Sequence, residues 1–569
     1  MANGKIKQPP HKIVTKQEVV QKSRFPQGDE PVVINYAWLW LALAAVVVYF
    51  PTLYYGFTEL DDSIFIREFQ EYNEDLRNLF VSFGRGVFNA TSDPYYRPVF
   101  LDSIVINYQF FKQNVAGYHI FNLLFHVASV LLMYKLLLKL QLKNLHAFIL
   151  ALLFAVHPVL SQAVAWIPGR NDTMLAIFIF TFIIYCINYT ETGKTKDLLL
   201  SVLFLLLAFF TKETAVFAAP AAFVFLVFWL QKKWLSRPNL ILYGTWVACF
   251  VLWFAARSRA TIQTAAIEPG KVVVDFIHRL PLIIQYTGKI FLPVNLSVFP
   301  IQQDTVIYYG IAAIGILAAL LLFSKDVNWR RVSIGSGIFL LFLLPALLIP
   351  NKLNEQAFEH RLYLPFLGML LVLPETVLFK KTTEGWALIC GLIAAGLLSI
   401  GNYSHQRYFA DPLSFWRQAT ETSPNSAYAN MMLGAREDNL EKSYALFRKA
   451  YRLNPKEKYL GYYYGKMLQM QDSVLASEPY LLAEKKTSGY YECDFYLARV
   501  AMQKNDTVAS ANYLQTYLKA DPANPNANNN LLLIYMSLHR YDDAKALAKH
   551  MQDAGLPVPG QVAQELRVH

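Results

Sequence analysis

Charge is scarce in this chain. Only 16% of its 569 residues are charged, where soluble domains carry about a quarter, and that shortage argues against the soluble enzyme classes. The formal net charge of +11 would point to nucleic acid in a soluble protein. Here the basic residues fall largely in short gaps between apolar runs, where they set orientation across a membrane, so no nucleic-acid partner is expected. Cysteine is scarce too: Cys186, Cys249 and Cys390 lie inside apolar runs and Cys493 stands alone downstream, which excludes a disulfide framework. No spacing of His, Cys, Asp or Glu matches a zinc or calcium motif. No cofactor is called for, and a divalent cation at carboxylates has nothing to indicate it.

What the chain does have is apolar length. Hydrophobic residues make up 55% of it, and mean hydropathy is +0.28. Runs long enough to cross a hydrocarbon core of about 30 Å recur through residues 36–403, after which the sequence turns polar. Three parts follow: a basic N-tail at 1–35, a membrane region at 36–403, and a soluble helical domain at 404–569. The tail carries Lys5, Lys7, Lys12, Lys16, Lys22 and Arg24, and the first run ends without an A-x-A-like site, the pattern of an uncleaved signal anchor.

Eleven spans are expected: Tyr36–Tyr55, Tyr118–Leu140, Leu145–Ala165, Met174–Tyr189, two short spans within Leu198–Leu230 split at Thr211-Lys212-Glu213, Leu240–Ala255, Tyr308–Phe323, Val332–Ile349, Leu362–Phe379 and Trp386–Tyr403. Phe276–Leu292 either spans or lies in the outer interface. Charge bias favours the second, because only then do Lys325, Arg330, Arg331, Lys380 and Lys381 share the cytoplasmic side with the N-tail. A bacterial inner membrane is the favoured setting, with the N-terminus cytoplasmic and the helical domain outside, in the periplasm. The Asn-x-Ser/Thr cluster around Asn89 bears weakly on that choice.

The helical domain reads as tetratricopeptide-type hairpins. Ser443, Phe447, Ala450 and Pro455 hold the small, aromatic, small and proline positions of one; Ser510, Leu514, Tyr517 and Pro522 repeat them loosely; Ala544 and Ala548 mark a third. Stacked repeats build concave binding surfaces.

This topology delivers Asp61-Asp62, Arg97, His157, Arg170-Asn171-Asp172, Lys212-Glu213, Arg257, Arg259 and Glu359-His360-Arg361 to the outer ends of spans. The acidic pair sits in the outer loop 56–117, followed by amphipathic pieces at Ser63–Glu71 and Glu74–Phe83 and an interfacial segment, Val99–Phe111. A carboxylate beside fixed cations suits transfer of a sugar from a lipid phosphate to a hydroxyl, the carboxylate taking the proton and the cations stabilising the departing phosphate. Each residue also has a plainer reading: a solvated loop for the acidic pair, a turn at His157-Pro158, a helix cap at Lys212-Glu213, and headgroup contacts for Arg257 and Arg259.

The ordered set Asp61-Asp62, Tyr96-Arg97-Pro98-Val99, Gly117-Tyr118-His119 with Asn122 and His126, His157-Pro158 through Ala163-Val164-Ala165-Trp166, Gly169-Arg170-Asn171-Asp172, Lys212-Glu213-Thr214 and Glu359-His360-Arg361-Leu362-Tyr363-Leu364-Pro365 resembles the transmembrane and tetratricopeptide-repeat O-mannosyltransferases. The resemblance implies an all-α, polytopic GT-C fold with a TPR-like C-terminal domain. It also implies inverting transfer of one sugar, typically mannose, from a polyprenyl-phosphate donor to Ser or Thr of a protein acceptor held by the repeats. Asp61 is then the base and Asp62 its partner, with Arg97, His157, Arg170, Lys212, Glu213, Glu359, His360 and Arg361 as pocket residues. His360 stands where relatives more often place Glu next to Arg. The same donor chemistry on a lipid or glycan acceptor, and a non-catalytic scaffold or lipid carrier, are the competing readings.

Overall fold

A computed structural model describes residues 34–88, 93–261, 269–348 and 356–566. Most of the basic N-tail and the Asn89 cluster lie outside the described residues. Among the described residues the architecture is helical, and β pairing is confined to one isolated bridge between Ile301 and Gln356.

Six helices among them are long and apolar enough to cross a membrane: Ala37–Tyr54, Val115–Lys139, Ile167–Thr192, Arg237–Ala260, Trp329–Leu348 and Glu384–Phe409. A seventh is Asn144–Val156 with Pro158–Ala165, bent by 52°. The other four expected spans form the shorter helices Thr195–Thr211, Glu213–Trp229, Tyr308–Leu322 and Pro365–Glu375. With 17 residues, the first of these reaches only about 25 Å at 1.5 Å per residue. By length and composition the full spans are six or seven, because polar breaks such as Lys212-Glu213 cut the apolar run into pieces.

The helix ends sort into two faces. At one, Lys139 pairs with Glu191 at 3.3 Å, Lys143 with Glu384 at 3.6 Å, and Lys380 with Glu375 at 2.7 Å; Asp61, Arg97, Lys212 and Arg361 belong to the other. The helices Pro269–Arg279 and Pro281–Phe291 keep to this second face. Gln302 donates to the His278 carbonyl, and Lys289 pairs with Glu359 at 2.7 Å. The 276–292 stretch is broken at Leu280, ahead of Pro281, into two helices of 11 residues each. Arg331 reaches Glu375 on the first face, 3.5 Å away.

The bend at His157 shows how the sequence makes such breaks. Pro158 lacks an N–H and starts a new turn, the His157 ring caps it by accepting from Val159 N–H at 3.2 Å, the Val156 carbonyl left without a helical partner accepts from Asn402 at 3.1 Å, and the His157 carbonyl accepts from Leu160 N–H at 3.1 Å and from Asn402 at 3.3 Å. A Cβ on Gly169 would lie 2.6 Å from the Gln162 carbonyl, so only glycine lets this broken segment fold back against the Arg170–Thr192 helix, the most enclosed span of the bundle.

The repeat hairpins form where the small residues fall. Ser443 and Ser510 are buried between paired helices and donate to the carbonyls of Gly434 and Ala498, and Ala450, Ala544 and Ala548 are buried likewise. The expected boundary at 404 cuts a continuous helix, Glu384–Gln406. Beyond it, Pro412–Thr422 is built into the outer face: Gln418 accepts from Val298 N–H at 2.9 Å and donates to the Leu296 carbonyl, and Ser423 donates to the Phe299 carbonyl.

Candidate active site

Asp61 and Asp62 are adjacent in sequence and differ in every contact. Asp62 is 1% exposed. Its Oδ2 accepts from the Thr58 N–H at 2.7 Å and the Thr58 hydroxyl at 3.0 Å, and its Oδ1 accepts from Ser63 N–H at 3.0 Å. Hydrogen bonds to a charged group contribute about 1.5–3 kcal/mol each, so Asp62 is committed to shaping the turn. Asp61 is half-buried, and its carboxylate takes no hydrogen bond from any described residue. Desolvation and the neighbouring Asp62 charge push its pKa up to about 7, against the opposing pull of Arg97.

Arg97 is held in place by Glu213, both Nε and a terminal nitrogen lying 2.9 Å from Oε2, while the other carboxylate oxygen accepts from Tyr96 N–H at 2.9 Å. Glu213 thus clamps the Tyr96-Arg97 corner across a separation of more than a hundred residues. Lys212, next in the chain, sends its ammonium to Asp172 Oδ1 at 2.6 Å and Asn171 Oδ1 at 3.0 Å. Arg361 donates to the Gln356 carbonyl at 2.8 Å. Burial, and then the charges of Lys212, Arg361 and Arg97, hold the His360 ring neutral, well below the usual histidine range. His360 Nδ1 faces Gln162 Oε1 at 3.1 Å. That oxygen already accepts from two backbone N–H groups, of Glu359 and His360, so Nδ1 carries the proton and Nε2 is left as an acceptor.

Three residues expected at the pocket are instead absorbed by the framework. His157 faces the Ile290 carbonyl with Nε2, 2.9 Å away, and caps Val159 with Nδ1. Arg170 is fully buried and distributes its donors over Asn122 Oδ1, Asn107 Oδ1 and the carbonyls of Tyr118 and Ser103. Glu359, also fully buried, accepts from Lys289 at 2.7 Å and Ser297 N–H at 2.8 Å, with His405 at 3.6 Å from its other oxygen. The cause is common to all three: a polar group taken out of water costs free energy until it is matched, and protein atoms match His157, Arg170 and Glu359 Oε1, while Glu359 Oε2 takes no hydrogen bond from the described residues and faces His405 at 3.6 Å.

Other residues enter the site without having been expected there. Thr58 holds Asp62, Gln162 holds Glu359 and His360, and Arg436 of the repeat domain pairs with Glu59 at 2.6 Å, just upstream of the acidic pair. The Thr58-x-x-x-Asp62 spacing is a legible local turn signal. Gln162 and Arg436 carry none, because their partners lie far along the chain. An apolar cavity of about 720 Å³ is lined by Phe209, Val216, Phe223, Trp234, Tyr243 and Phe250 among others, and by none of Lys212, Arg97 and Arg361.

The family described as dolichyl-phosphate-mannose-protein mannosyltransferase matches residues 98–255. A protein O-mannosyl-transferase of Caenorhabditis elegans is 24% identical over 368 residues, 62% of this chain and 52% of that protein. The chain is O-mannosyltransferase-like. The human protein O-mannosyl-transferase TMTC1 is 31% identical over 161 residues, 26% of this chain and 18% of its own length. This O-mannosyltransferase-like chain spans about half the length of the worm relative. Among solved structures, YrrB, a TPR protein with an unusual peptide-binding site, is 18% identical and covers 31% of this chain and 90% of its own, with a TM-score of 0.24. The matched stretch 98–255 contains His157, Arg170, Lys212 and Glu213; Asp61, Asp62, Arg97 and the 359–361 motif lie outside it.

Proposed function

We propose that this chain moves a single sugar, mannose or another hexose, from a polyprenyl-phosphate donor to Ser or Thr hydroxyls of a protein acceptor at the non-cytoplasmic face of the membrane. The observation that carries the reading is the asymmetry of the acidic pair: one carboxylate locked by three donors, the other free, half-buried and raised in pKa beside Arg97.

In this mechanism Asp61 accepts the hydroxyl proton as the hydroxyl oxygen bonds to the anomeric carbon. The bond from that carbon to the phosphate oxygen breaks with its electron pair, and the configuration inverts in one displacement. Lys212, Arg97 and Arg361 offset the charge growing on the phosphate, as fixed cations do at a developing anion. The neutral His360 adds an acceptor for a donor hydroxyl. The apolar cavity, whose lining includes Phe209 and Val216 on either side of Lys212 in the chain, suits isoprene units of the donor, since it buries hydrocarbon.

The test uses purified full-length chain, a mannosyl-phosphoryl-polyprenol donor and a threonine-containing peptide. Asp61→Asn is expected to abolish transfer. Transfer at the parental rate in that variant removes the base assignment, and sugar incorporated into lipid extract but never into peptide replaces the protein acceptor with a lipid one.

A further inference from the structure

Arg330, Ser333, Gly337 and Leu341 follow one another at spacings of three, four and four residues along the Trp329–Leu348 helix, so they share one of its faces. With Ile334 they line one side of a cavity of about 400 Å³, and Val224 and Phe228 line the other. The larger apolar cavity shares Val224, Phe228 and Leu341 and adds Trp234 and Leu235, so the two volumes abut. Chemistry changes in order along the stripe. It begins with a guanidinium in the first turn of the helix, passes a hydroxyl and then a glycine, and ends on Leu341, about 16 Å deeper at 1.5 Å per residue.

The protein itself leaves the polar end of this stripe unused. Arg331 and Lys380 both pair with Glu375, at 3.5 and 2.7 Å, whereas the side chains of Arg330 and Ser333 have no hydrogen-bond or ion-pair partner among the described residues. No carboxylate is among the described residues that line either cavity. A Cβ on Gly337 would meet nothing within 4 Å, so the space before it is open and no protein neighbour fills it. Trp329 and Trp234, 56% and 57% exposed, flank the groove, as tryptophans do at the boundary between headgroups and hydrocarbon. A cation, then a hydroxyl, then an apolar trough match a phosphate, an ester-linked glycerol and an acyl chain in the same order. Basic pockets between spans hold anionic headgroups in this way. A soluble phosphate would use the guanidinium and leave the trough empty.

We propose that this groove is a site for one anionic phospholipid of the leaflet opposite Asp61. Its phosphate lies on Arg330, its glycerol esters against Ser333, and one acyl chain runs over Gly337 and Leu341 against Val224 and Phe228. The site is on the face opposite the acidic pair and does not depend on the transfer reading.

Native mass spectrometry of delipidated full-length chain in detergent measures the binding of phosphatidylglycerol and phosphatidylcholine with identical acyl chains. Phosphatidylglycerol is expected to bind more tightly. Arg330→Gln should weaken it by about fivefold, the worth of one cation at an anionic surface, and Arg330→Lys should restore most of that loss. Lys325→Gln removes an exposed cation outside the lining and should change nothing. Unchanged affinity in Arg330→Gln, or an equal loss in Lys325→Gln, overturns the site. Gly337→Leu places its side chain in the trough and should exclude both lipids at an unchanged melting temperature, because its Cβ enters open space; binding like the parent in that variant overturns the path of the acyl chain. Glycerol 3-phosphate at the same concentration should not displace the lipid, and displacement would make the ligand a soluble phosphate and overturn the proposal.

Discussion

Two clusters of charge share one face of the helical bundle, and they are built in opposite ways. In the framework cluster, Arg170 and Glu359 are fully enclosed, and protein atoms answer their charges: two side-chain amides and two carbonyls for Arg170, a lysine and a backbone N–H for Glu359. In the pocket cluster, Asp61 has no such partner and His360 presents an unmatched ring nitrogen. The framework holds the spans in register; the pocket keeps unspent capacity for a substrate. A residue's charge therefore says little about its role until its partners are counted.

Asp61→Asn and Arg170→Met separate the clusters most sharply. The first should cut transfer by about 10²–10⁴-fold, the range of a lost general base, at an unchanged melting temperature. The second strands four acceptors at about 1–3 kcal/mol each, so it should lower the melting temperature of the detergent-extracted protein steeply and take activity with it. If Asp61→Asn melts early, or Arg170→Met is folded and merely slow, the division fails. Lys212→Met tests a residue between the clusters: it should lower kcat by about ten- to a hundredfold and change the acceptor KM little, measured as a function of peptide concentration.

The raised pKa of Asp61 sharpens the same contrast by pH. A base must be ionised to act, so activity should be present above about pH 7 and fall as pH drops through that value. Asp62→Asn, which removes the like charge, should move this limb of the kcat/KM profile to lower pH; an acid limb that stays in place removes Asp62 as a cause of the shift. The smallest effect is expected at the rim, where Glu59→Gln breaks a part-exposed pair with Arg436 and should cost about 0–1 kcal/mol by thermal unfolding.

Much of this was legible because it is local or periodic. Apolar length marked the long spans, and the gap at Lys212-Glu213 marked a break that the structure keeps. Val99–Phe111 was readable as one segment lying along the interface, and the structure forms Pro98–Phe111 as one helix, with Phe100, Leu101 and Ile104 buried and Phe110 exposed. The small residues of the repeats found their hairpins. The site was legible as a list of residues and not as an arrangement. His157, Arg170 and Glu359 belong to the same ordered motifs as Arg97 and Lys212, and nothing in those motifs says which side chains turn inward.

The sequence by itself determined that the chain is a helical membrane protein, that its acidic pair shares a face with Arg97, Lys212 and Arg361, and that a helical repeat domain follows. These depend on hydrophobic length, charge placement and short spacings, all written along one strand. Only the tertiary structure decided which aspartate is free, which charges are consumed by the framework, and that Arg436 of the repeats helps wall the site. Each of those depends on a partner brought from far away, such as the amide of Gln162 set against Glu359, 197 positions apart, and the cost of leaving a buried polar group unmatched selects among such partners only once the chain has folded.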